Sequence, residues 1–383
     1  MSAVPQWDRT DWWGTLPIAI RNRLSRAAGG MRTATVMASP GGWQQAVTVI
    51  STEADIAECI AYCEPYLALG PDAPAPAQCI IAATAENLQD WAAQLPLQRT
   101  PIAGTDSLSL GVGQADGWSV FVRFRGPEFF DLTLLQGPVS VVMTSPDDSV
   151  PCYLALARVL RNRLTQTWLR AGGTLVHAGS VDFQGRAVLL TGDKRAGKTT
   201  QVCELLAAGL RFVSNDRVIV MPDGVVLGLP ISVNIRRATR ERYPCLMRWK
   251  EGAENPHRIG LHASVTDISL KPREFASLFA TDIAATSRAC AVCELSRDGA
   301  LPAAQIRRMT LESAAARLGA SVMPAVDASQ PFYQLPEGYG AARLTRALSD
   351  AATRIYDVRA GEGAIWATST EILRTLGGLP GRS

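Results

Sequence analysis

Apolar positions in the first 146 residues switch between strand-like and helix-like spacing. Runs rich in β-branched residues predict strands at QAVTVIS (45–51), WSVFVRFRG (118–126) and VSVVMTS (139–145). Apolar residues at helical spacing predict helices over 52–68 and 85–94. Because neither pattern dominates, we predict an α+β accessory domain over residues 1–146.

A turn-rich joint from Ser145 to Pro151 separates this region from a long helical pattern. In that pattern Leu160, Leu164 and Trp168 fall on one helix face, which predicts that this face is buried. We therefore place a domain boundary at the joint and assign residues 151–383 to a second domain.

Short strand patterns dominate the start of the second domain. They are TLVHAGSVDF (174–183), RAVLLTG (186–192), LRFVSND (210–216) and the hairpin RVIVMPDGVVLGL (217–229), with a helix predicted over 198–208. Further along, helical spacing predicts helices over 309–320 and 338–358, and GAIWATS (363–369) predicts a late strand. The alternation of strands and helices predicts an α/β core.

Composition narrows the class of protein. The 383 residues include 47% hydrophobic and 19% charged residues, which is typical of a globular protein, and this length predicts two domains. A net charge of +3 without a long basic run argues against a nucleic-acid partner. Neither a secretory signal nor a long apolar span is found, so we expect no membrane partner and a cytoplasmic location.

Two cysteine pairs have spacings that suggest a metal site. Cys59 and Cys63 fit one face of a helix beside apolar neighbours, and Cys290 and Cys293 fit a strand. The three histidines lie far from both pairs in sequence. The pattern therefore favours buried, reduced cysteines over a zinc site.

The strongest chemical signal is the segment from Gly192 to Thr199, here called the glycine loop. Its sequence, GDKRAGKT, matches G-x-x-x-x-G-K-[ST] between an apolar strand and a helix. Backbone N–H groups in such a loop bind phosphates, the lysine reaches the β- and γ-phosphates, and the hydroxyl binds Mg²⁺. The predicted nucleotide-binding residues are Gly192, Asp193, Lys194, Arg195, Ala196, Gly197, Lys198, Thr199 and Thr200.

The next predicted strand ends with an acidic residue, Asp216. Beside a phosphate loop such a carboxylate can bind Mg²⁺ or accept the proton of an attacking hydroxyl, so we predict Asp216 as a catalytic residue and, with Thr199, as a metal ligand. His177, on the strand before the loop strand, is predicted to lie near the phosphates. Lys198 completes the predicted catalytic set.

Residues 174–237 resemble the core of the bifunctional HPr kinase/phosphorylase family, whose fold is similar to that of phosphoenolpyruvate carboxykinases. In that family a histidine opens an H-G-x-x-V-D strand, the loop reads G-D-S-G-x-G-K-S, and a G-H-x-L-V-A-D-D strand follows. The matching positions here are His177, Val181, Asp182, Gly192, Asp193, Gly197, Lys198, Thr199, Gly209 and Asp216.

The resemblance implies the use of ATP and Mg²⁺, with Asp216 as proton acceptor, Lys198 on the phosphates, Thr199 on Mg²⁺ and His177 in the active site. Two positions depart from the family pattern, because Asn215 replaces an aspartate and Val225 lies near the expected place of a magnesium glutamate. The phosphorylase signature is not found after the core. We therefore do not expect phosphorylase activity, or HPr itself as the substrate.

The implied function is a kinase that transfers the γ-phosphoryl group of ATP to a hydroxyl. The acceptor is expected to be a serine of a protein or peptide, or a small metabolite, and homo-oligomerisation is left open. The departures at Asn215 and Val225 keep open a nucleotide-binding regulatory or assembly ATPase without an acceptor. A carboxykinase-type enzyme acting on a small organic acid is supported by fold kinship alone.

An arginine cluster follows the resembling region. A guanidinium suits bidentate contacts with phosphate, but arginines at this spacing also fit the solvated face of a helix. Both interpretations stay open for Arg236, Arg237, Arg240 and Arg242.

Overall fold

The structure is a computed structural model. It describes residues 12–38, 43–71, 78–101, 108–125, 128–146, 150–249, 266–298, 301, 303–323, 335–361 and 365–375. Within these ranges the chain has a mixed α/β fold built on two large sheets.

The described N-terminal residues form one mixed sheet of nine strands. Its strands are β1 Met31–Ala38, β2 Gln45–Thr52, β3 Leu67–Leu69, β4 Cys79–Thr84, β5 Gln98–Pro101, β6 Leu108–Ala115, β7 Trp118–Arg125, β8 Glu128–Gln136 and β9 Val139–Thr144. Their order is β3-β1-β2-β4-β9-β8-β7-β6-β5, in which β2, β4 and β9 run parallel and the other pairs run antiparallel. The strands predicted over 45–51, 118–126 and 139–145 are confirmed in β2, β7 and β9, except that Gly126 lies outside the described residues and Ser145 follows the end of β9.

Helices cover both faces of this sheet. They are α1 Ile18–Ala27, α2 Glu53–Cys63 and α3 Leu88–Ala93. The side chain of Thr52 begins α2 by accepting a hydrogen bond from the Asp55 N–H (3.1 Å). The helix ends just before Glu64-Pro65, because proline disfavours helical backbone at the residue before it, so α2 is shorter than predicted.

The long helix α4 (Cys152–Arg170) packs against both halves of the chain. It contacts α2, β4 and β9, and at its C-terminal end it reaches the second sheet. Leu160, Leu164 and Trp168 are buried in a core cluster that also contains residues from both sheets, as the helical pattern predicts. The predicted boundary at residues 146–151 therefore lies beside a helix that both halves share.

The described C-terminal residues form the second large sheet and a two-stranded sheet. The strands are β10 Thr174–Val176, β11 Gly179–Phe183, β12 Arg186–Thr191, β13 Arg211–Ser214, β14 Val218–Val220, β15 Val225–Gly228, β16 Val233–Arg236, β17 Thr266–Leu270, β18 Thr286–Arg297, β19 Gln305–Met309 and β20 Arg354–Ala360. The large sheet has the order β10-β14-β15-β18-β12-β11-β13, and β20 pairs with both β18 and β19. Since β12 pairs in parallel with β18, the carboxyl ends of both strands lie at one edge.

Helices lie on both faces of the second sheet. They are α5 Lys198–Ala207, α6 Arg237–Arg240, α7 Pro244–Arg248, α8 Pro272–Leu278, α9 Leu311–Ser321, α10 Ala341–Asp350 and α11 Ile365–Thr375. One core cluster lies between the sheet and α5, α8 and α11, and another lies between the sheet and the α9–α10 pair. In the described residues, no helix is both long enough and apolar enough to cross a membrane.

Two predictions near the C-terminus are wrong. The helix predicted over 338–358 stops after Asp350, because Ala352 takes a left-handed conformation (φ +51°), and the chain continues as β20 beside β18. The strand predicted over 363–369 falls partly outside the described residues, and Ile365 to Ser369 begin α11, which packs against α5. In both cases packing against distant residues overrode the local pattern.

Candidate functional site

The glycine loop connects the buried strand β12 to α5. Gly192 leaves the strand at φ +123°, and a Cβ atom built there would lie 2.2 Å from the Leu295 carbonyl oxygen on β18. Only glycine fits this close approach. Farther along the loop, the Ala196 N–H donates to the Asp193 carbonyl (3.1 Å) and closes a tight turn.

Lys198 folds back over the loop that precedes it. Its Nζ donates to the carbonyl oxygens of Gly192 (2.6 Å) and Asp193 (3.0 Å). Burial lowers the pKa of Lys198, and the negative charges of Asp216 and Asp193 act in the opposite direction. The ammonium is therefore held at the mouth of the loop and interacts with the charge of Asp216.

The other predicted nucleotide-binding residues differ in exposure. Asp193, Lys194 and Arg195 are exposed, and Arg195 has a left-handed backbone (φ +75°). Ala196, Gly197 and Thr199 are half-buried. Thr200 is buried, and its hydroxyl lies 3.0 Å from that of Thr239 in α6. The loop thus offers an open side to solvent, while Thr200 connects α5 to α6.

The structure brings Asp216 and His177 together. His177 Nε2 lies 3.4 Å from Asp216 Oδ1, and Arg217 Nε lies 3.2 Å from Oδ2. The side chains of Asp216 and His177 are 43% and 41% exposed, so both can meet a ligand. Burial acts to raise the pKa of Asp216, but the hydrogen bond from His177 and the charge of Arg217 outweigh it and lower the pKa. Asp216 is ionised at neutral pH.

Backbone order explains why His177 reaches this position. The predicted strand 174–183 divides into β10 and β11, and His177 lies in the break between them. Its N–H donates to the Ser321 carbonyl at the end of α9 (2.8 Å). Because β11 begins beside the end of β12, His177 lies at the same edge of the sheet as the glycine loop.

Asp182, which matches the resembling family's strand motif, has a structural role here. It is fully buried, and its Oδ2 accepts hydrogen bonds from the Arg211 side chain (2.7 and 3.0 Å) and from the Gly185 N–H (3.1 Å). Its Oδ1 accepts from the Ser287 hydroxyl. These contacts hold the β11–β12 turn, at the end of β11 away from the loop.

A pocket of about 280 Å³ opens on the β18 side of the glycine loop. Asp216 follows β13, which lies on the opposite side of β12 in the sheet order. The pocket is lined by Ala196, Gly197, Thr200, Gln201, Ala238, Thr239, Arg242, Leu295, Ser296, Arg297, Val358, Ala360, Gly361 and Thr368. Most of these residues are not local to the loop in sequence, so the spacing of motifs gave no signal for them.

The predicted arginine cluster separates in the structure. Arg242 lines the pocket. Arg237 pairs with Glu241 (2.8 Å), and Arg240 donates to the Leu246 carbonyl (3.3 Å), so both have local contacts on α6 and its flanks. The pocket instead gains a second arginine, Arg297, from the end of β18.

The residues at the site are compatible with Mg²⁺ but form no protein cage for it. Among the residues that the structure describes, no group of three or more His, Cys, Asp or Glu side chains is placed to hold a metal. Mg²⁺ is commonly bound by one or two protein oxygens together with phosphates and water, which an ionised Asp216 and the Thr199 hydroxyl can supply. Val225 begins β15 and pairs with Arg288 on β18, so it contributes no ligand.

One acidic residue near the loop was missed by the sequence analysis. Glu294 on β18 lies in register with Thr191, directly before Gly192, and with Asp357 on β20. Burial raises the pKa of Glu294, and Asp357 and Asp193 add to this, while Arg317 opposes it. Glu294 lies beside the loop because β12 pairs in parallel with β18, a strand about a hundred residues later in the sequence. No local sequence pattern indicates such a pairing.

No protein-family profile and no curated protein matches the chain. Among solved structures it is similar to the Hpr(Ser) kinase/phosphatase from Coxiella burnetii, with 10% identity, coverage of 52% of this chain and 95% of that chain, and a TM-score of 0.28.

Proposed function

We propose that this chain is an ATP-dependent kinase that transfers the γ-phosphoryl group to a hydroxyl of a protein or peptide serine, or of a small metabolite. One observation carries the proposal. The carboxylate of Asp216 is ionised and half-exposed, and it lies at the same sheet edge as the glycine loop. Its negative charge acts on the loop's lysine, Lys198, and favours the charged ammonium. A kinase needs these two elements together, because the loop binds phosphates and the carboxylate receives the hydroxyl proton.

The positions of the pocket and of Asp216 suggest how ATP would bind. With its phosphates on the glycine loop, the nucleoside would occupy the pocket on the β18 side, with Arg242 and Arg297 at the pocket wall. The γ-phosphate would then point towards Asp216 and His177, across β12. In this arrangement the acceptor hydroxyl approaches from the β13 side, where both side chains are partly exposed.

Each residue has a defined role in the proposed transfer. Lys198 would exchange its two carbonyl partners for the more strongly accepting phosphate oxygens and stabilise their charge. Asp216 would orient the acceptor hydroxyl and take its proton as the acceptor oxygen bonds to the γ-phosphorus. The bond between that phosphorus and the β,γ-bridging oxygen would break in the same transfer and release ADP, while His177 would hold the carboxylate in place. Bound Mg²⁺, held by Thr199 and Asp216, would supply further charge neutralisation to the phosphates.

A regulatory or assembly ATPase is the second candidate, and a specific observation favours it. Asn215 is buried, and its side-chain oxygen has no hydrogen-bond partner among the described residues, while Val225 belongs to the β15 ladder. The site therefore offers fewer acidic groups than the resembling kinases. Such a protein would bind and slowly hydrolyse ATP without passing the phosphoryl group to an acceptor.

Transfer of label from γ-³²P-ATP distinguishes the two candidates. Wild type, Asp216→Asn and Asp350→Asn, a control at an exposed position on α10, are incubated with Mg²⁺ and either lysate proteins or a pooled metabolite extract. We expect labelled acceptor with wild type and the control, and a loss of about 10²-fold or more with Asp216→Asn. ATP binding without labelled acceptor, and with phosphate release unchanged by Asp216→Asn, would instead support the regulatory ATPase.

A further inference from the structure

Strand β13, which leads to Asp216, contains an irregularity. In its antiparallel pairing with β11, Ser214 lies opposite Ser180 and Phe212 lies opposite Val181, so Val213 has no partner residue on β11. Such a bulge changes the direction of the strand and leaves part of its backbone outside the ladder. Here it comes three residues before Asp216 and therefore affects where that carboxylate points.

The Val213 carbonyl receives its hydrogen bond from the N-terminal half of the protein. Tyr66, between α2 and β3, is 5% exposed, and its hydroxyl donates to Val213 O at 2.6 Å. Burial raises the pKa of Tyr66 well above its usual value, so the hydroxyl stays protonated and remains a donor. A buried carbonyl without a partner is costly, which makes this contact a strong restraint on the bulge.

The second sheet is shaped to admit the tyrosine ring. Gly228, at the end of β15, lies against both the Tyr66 ring and the Val213 carbonyl. A Cβ built on it would lie 2.4 Å from Val213 O and 2.6 Å from Tyr66 Cε1. A larger residue would push the ring away from the strand. The absence of a side chain at Gly228 thus permits the contact between Tyr66 and Val213.

We propose that Tyr66 is a positioning residue for phosphoryl transfer, because its hydroxyl fixes the bulge in β13 and thereby the place of Asp216 relative to the glycine loop. This inference rests on the proposed kinase function. By this inference, the N-terminal half influences the active site through β13, and its residues do not need to contact the nucleotide. Displacing a reacting group by about an ångström is enough to slow a reaction by up to about 10²-fold.

A pair of tyrosine variants tests the proposal. Tyr66→Phe removes the hydroxyl that bonds Val213 and keeps the ring. Tyr62→Phe is the matched control, because Tyr62 is equally buried and also bonds the C-terminal half, but at Ser232 (2.8 Å) and not on β13. For each variant we would measure kcat, KM for ATP and amide hydrogen exchange over residues 211–217.

We expect Tyr66→Phe to lower kcat by about 10-fold or more with KM for ATP unchanged, and to speed exchange over 211–217. Tyr62→Phe should change neither quantity. Equal kcat losses in the two variants would assign the effect to general destabilisation and overturn the proposal, as would wild-type kcat in Tyr66→Phe. If wild type transfers no phosphoryl group, the kinase proposal fails, and hydrogen exchange alone decides whether Tyr66 positions β13. Exchange over 211–217 that is faster in Tyr66→Phe but not in Tyr62→Phe supports that role, and equal exchange rates in the two variants reject it.

Discussion

Two buried carboxylates in the C-terminal half, Asp182 on β11 and Glu204 on α5, differ in how their charge is compensated. Asp182 accepts hydrogen bonds from Arg211, Gly185 and Ser287. Glu204, on α5, accepts one from the Tyr243 hydroxyl (2.6 Å), and its second oxygen has no partner among the described residues. Burial raises the pKa of Glu204, whereas the Tyr243 hydrogen bond and Arg242 act to lower it. The sequence marks both residues as acidic, but only the fold determines which charge is stabilised.

This difference predicts opposite effects on stability. Because the folded state raises the pKa of Glu204, its protonated form stabilises the fold at low pH, and that contribution is lost as pH rises through the raised pKa. We expect Glu204→Gln to gain Tm relative to wild type as the pH increases from about 4 to 8. Asp182→Asn should instead lose about 1–3 kcal/mol of stability at neutral pH. Thermal unfolding of the three proteins across this pH range provides the measurement, and a Glu204→Gln difference that does not vary with pH would contradict the first expectation.

At the level of elements, local sequence patterns predicted strands and helices correctly where the packing in the sheets favours the same structure as the local pattern. The strand over 139–145, the face of α4 and the strand-loop-helix unit around the glycine loop all follow from periodicity and turn residues. Prediction failed at Ala352, because its backbone is left-handed although the residue is not a glycine, which is the usual sequence signal for that conformation. It also failed at α11, where β-branched residues lie in a helix that packs on α5. Local preference is weak compared with packing, so errors of this kind are expected where distant elements meet.

The glycine loop makes an element-scale prediction. Gly192→Ala places a Cβ against the Leu295 carbonyl, so the loop must move away from β18. We therefore expect the affinity for ATP to fall by about 10-fold or more, which corresponds to a loss of about 1.4 kcal/mol or more of binding free energy. Gly185→Ala is the control, since it also has a positive φ (+82°) but its Cβ would meet no atom within 4 Å. Equilibrium binding of ATP to both variants, after unfolding curves show that they are folded, compares the effects. Similar losses in both would indicate a general effect of alanine at a left-handed glycine and not the close approach to β18.

For the whole molecule, the site is assembled from pairings that the sequence does not specify. The neighbours of β12 are β18 and β11, and the pocket collects residues from α5, α6, β18 and β20. Motif spacing predicted Lys198, Asp216 and His177, since these belong to one contiguous segment, but Arg297, Glu294 and Tyr66 come from elsewhere. The two halves also share a core, because one cluster of buried apolar residues contains α4 and residues of both sheets. In addition, α4 donates hydrogen bonds to N-terminal strands through Arg158 and Arg163 and to the Pro230 carbonyl through Arg161.

This shared core makes the separation of the two predicted domains a strong test. Residues 151–383 expressed alone would retain α4 but lose its contacts with α2, β4 and β9, exposing apolar side chains worth about 1.5–3 kcal/mol each. A few such losses equal the usual net stability of about 5–15 kcal/mol, so we expect this fragment to aggregate or to unfold at a much lower temperature. Adding residues 1–146 in trans should restore a soluble complex, because the missing surface is then covered again. A fragment that melts cooperatively at the temperature of the full chain would show instead that the halves fold independently, and that the contact between Tyr66 and β13 joins two domains that are each stable alone.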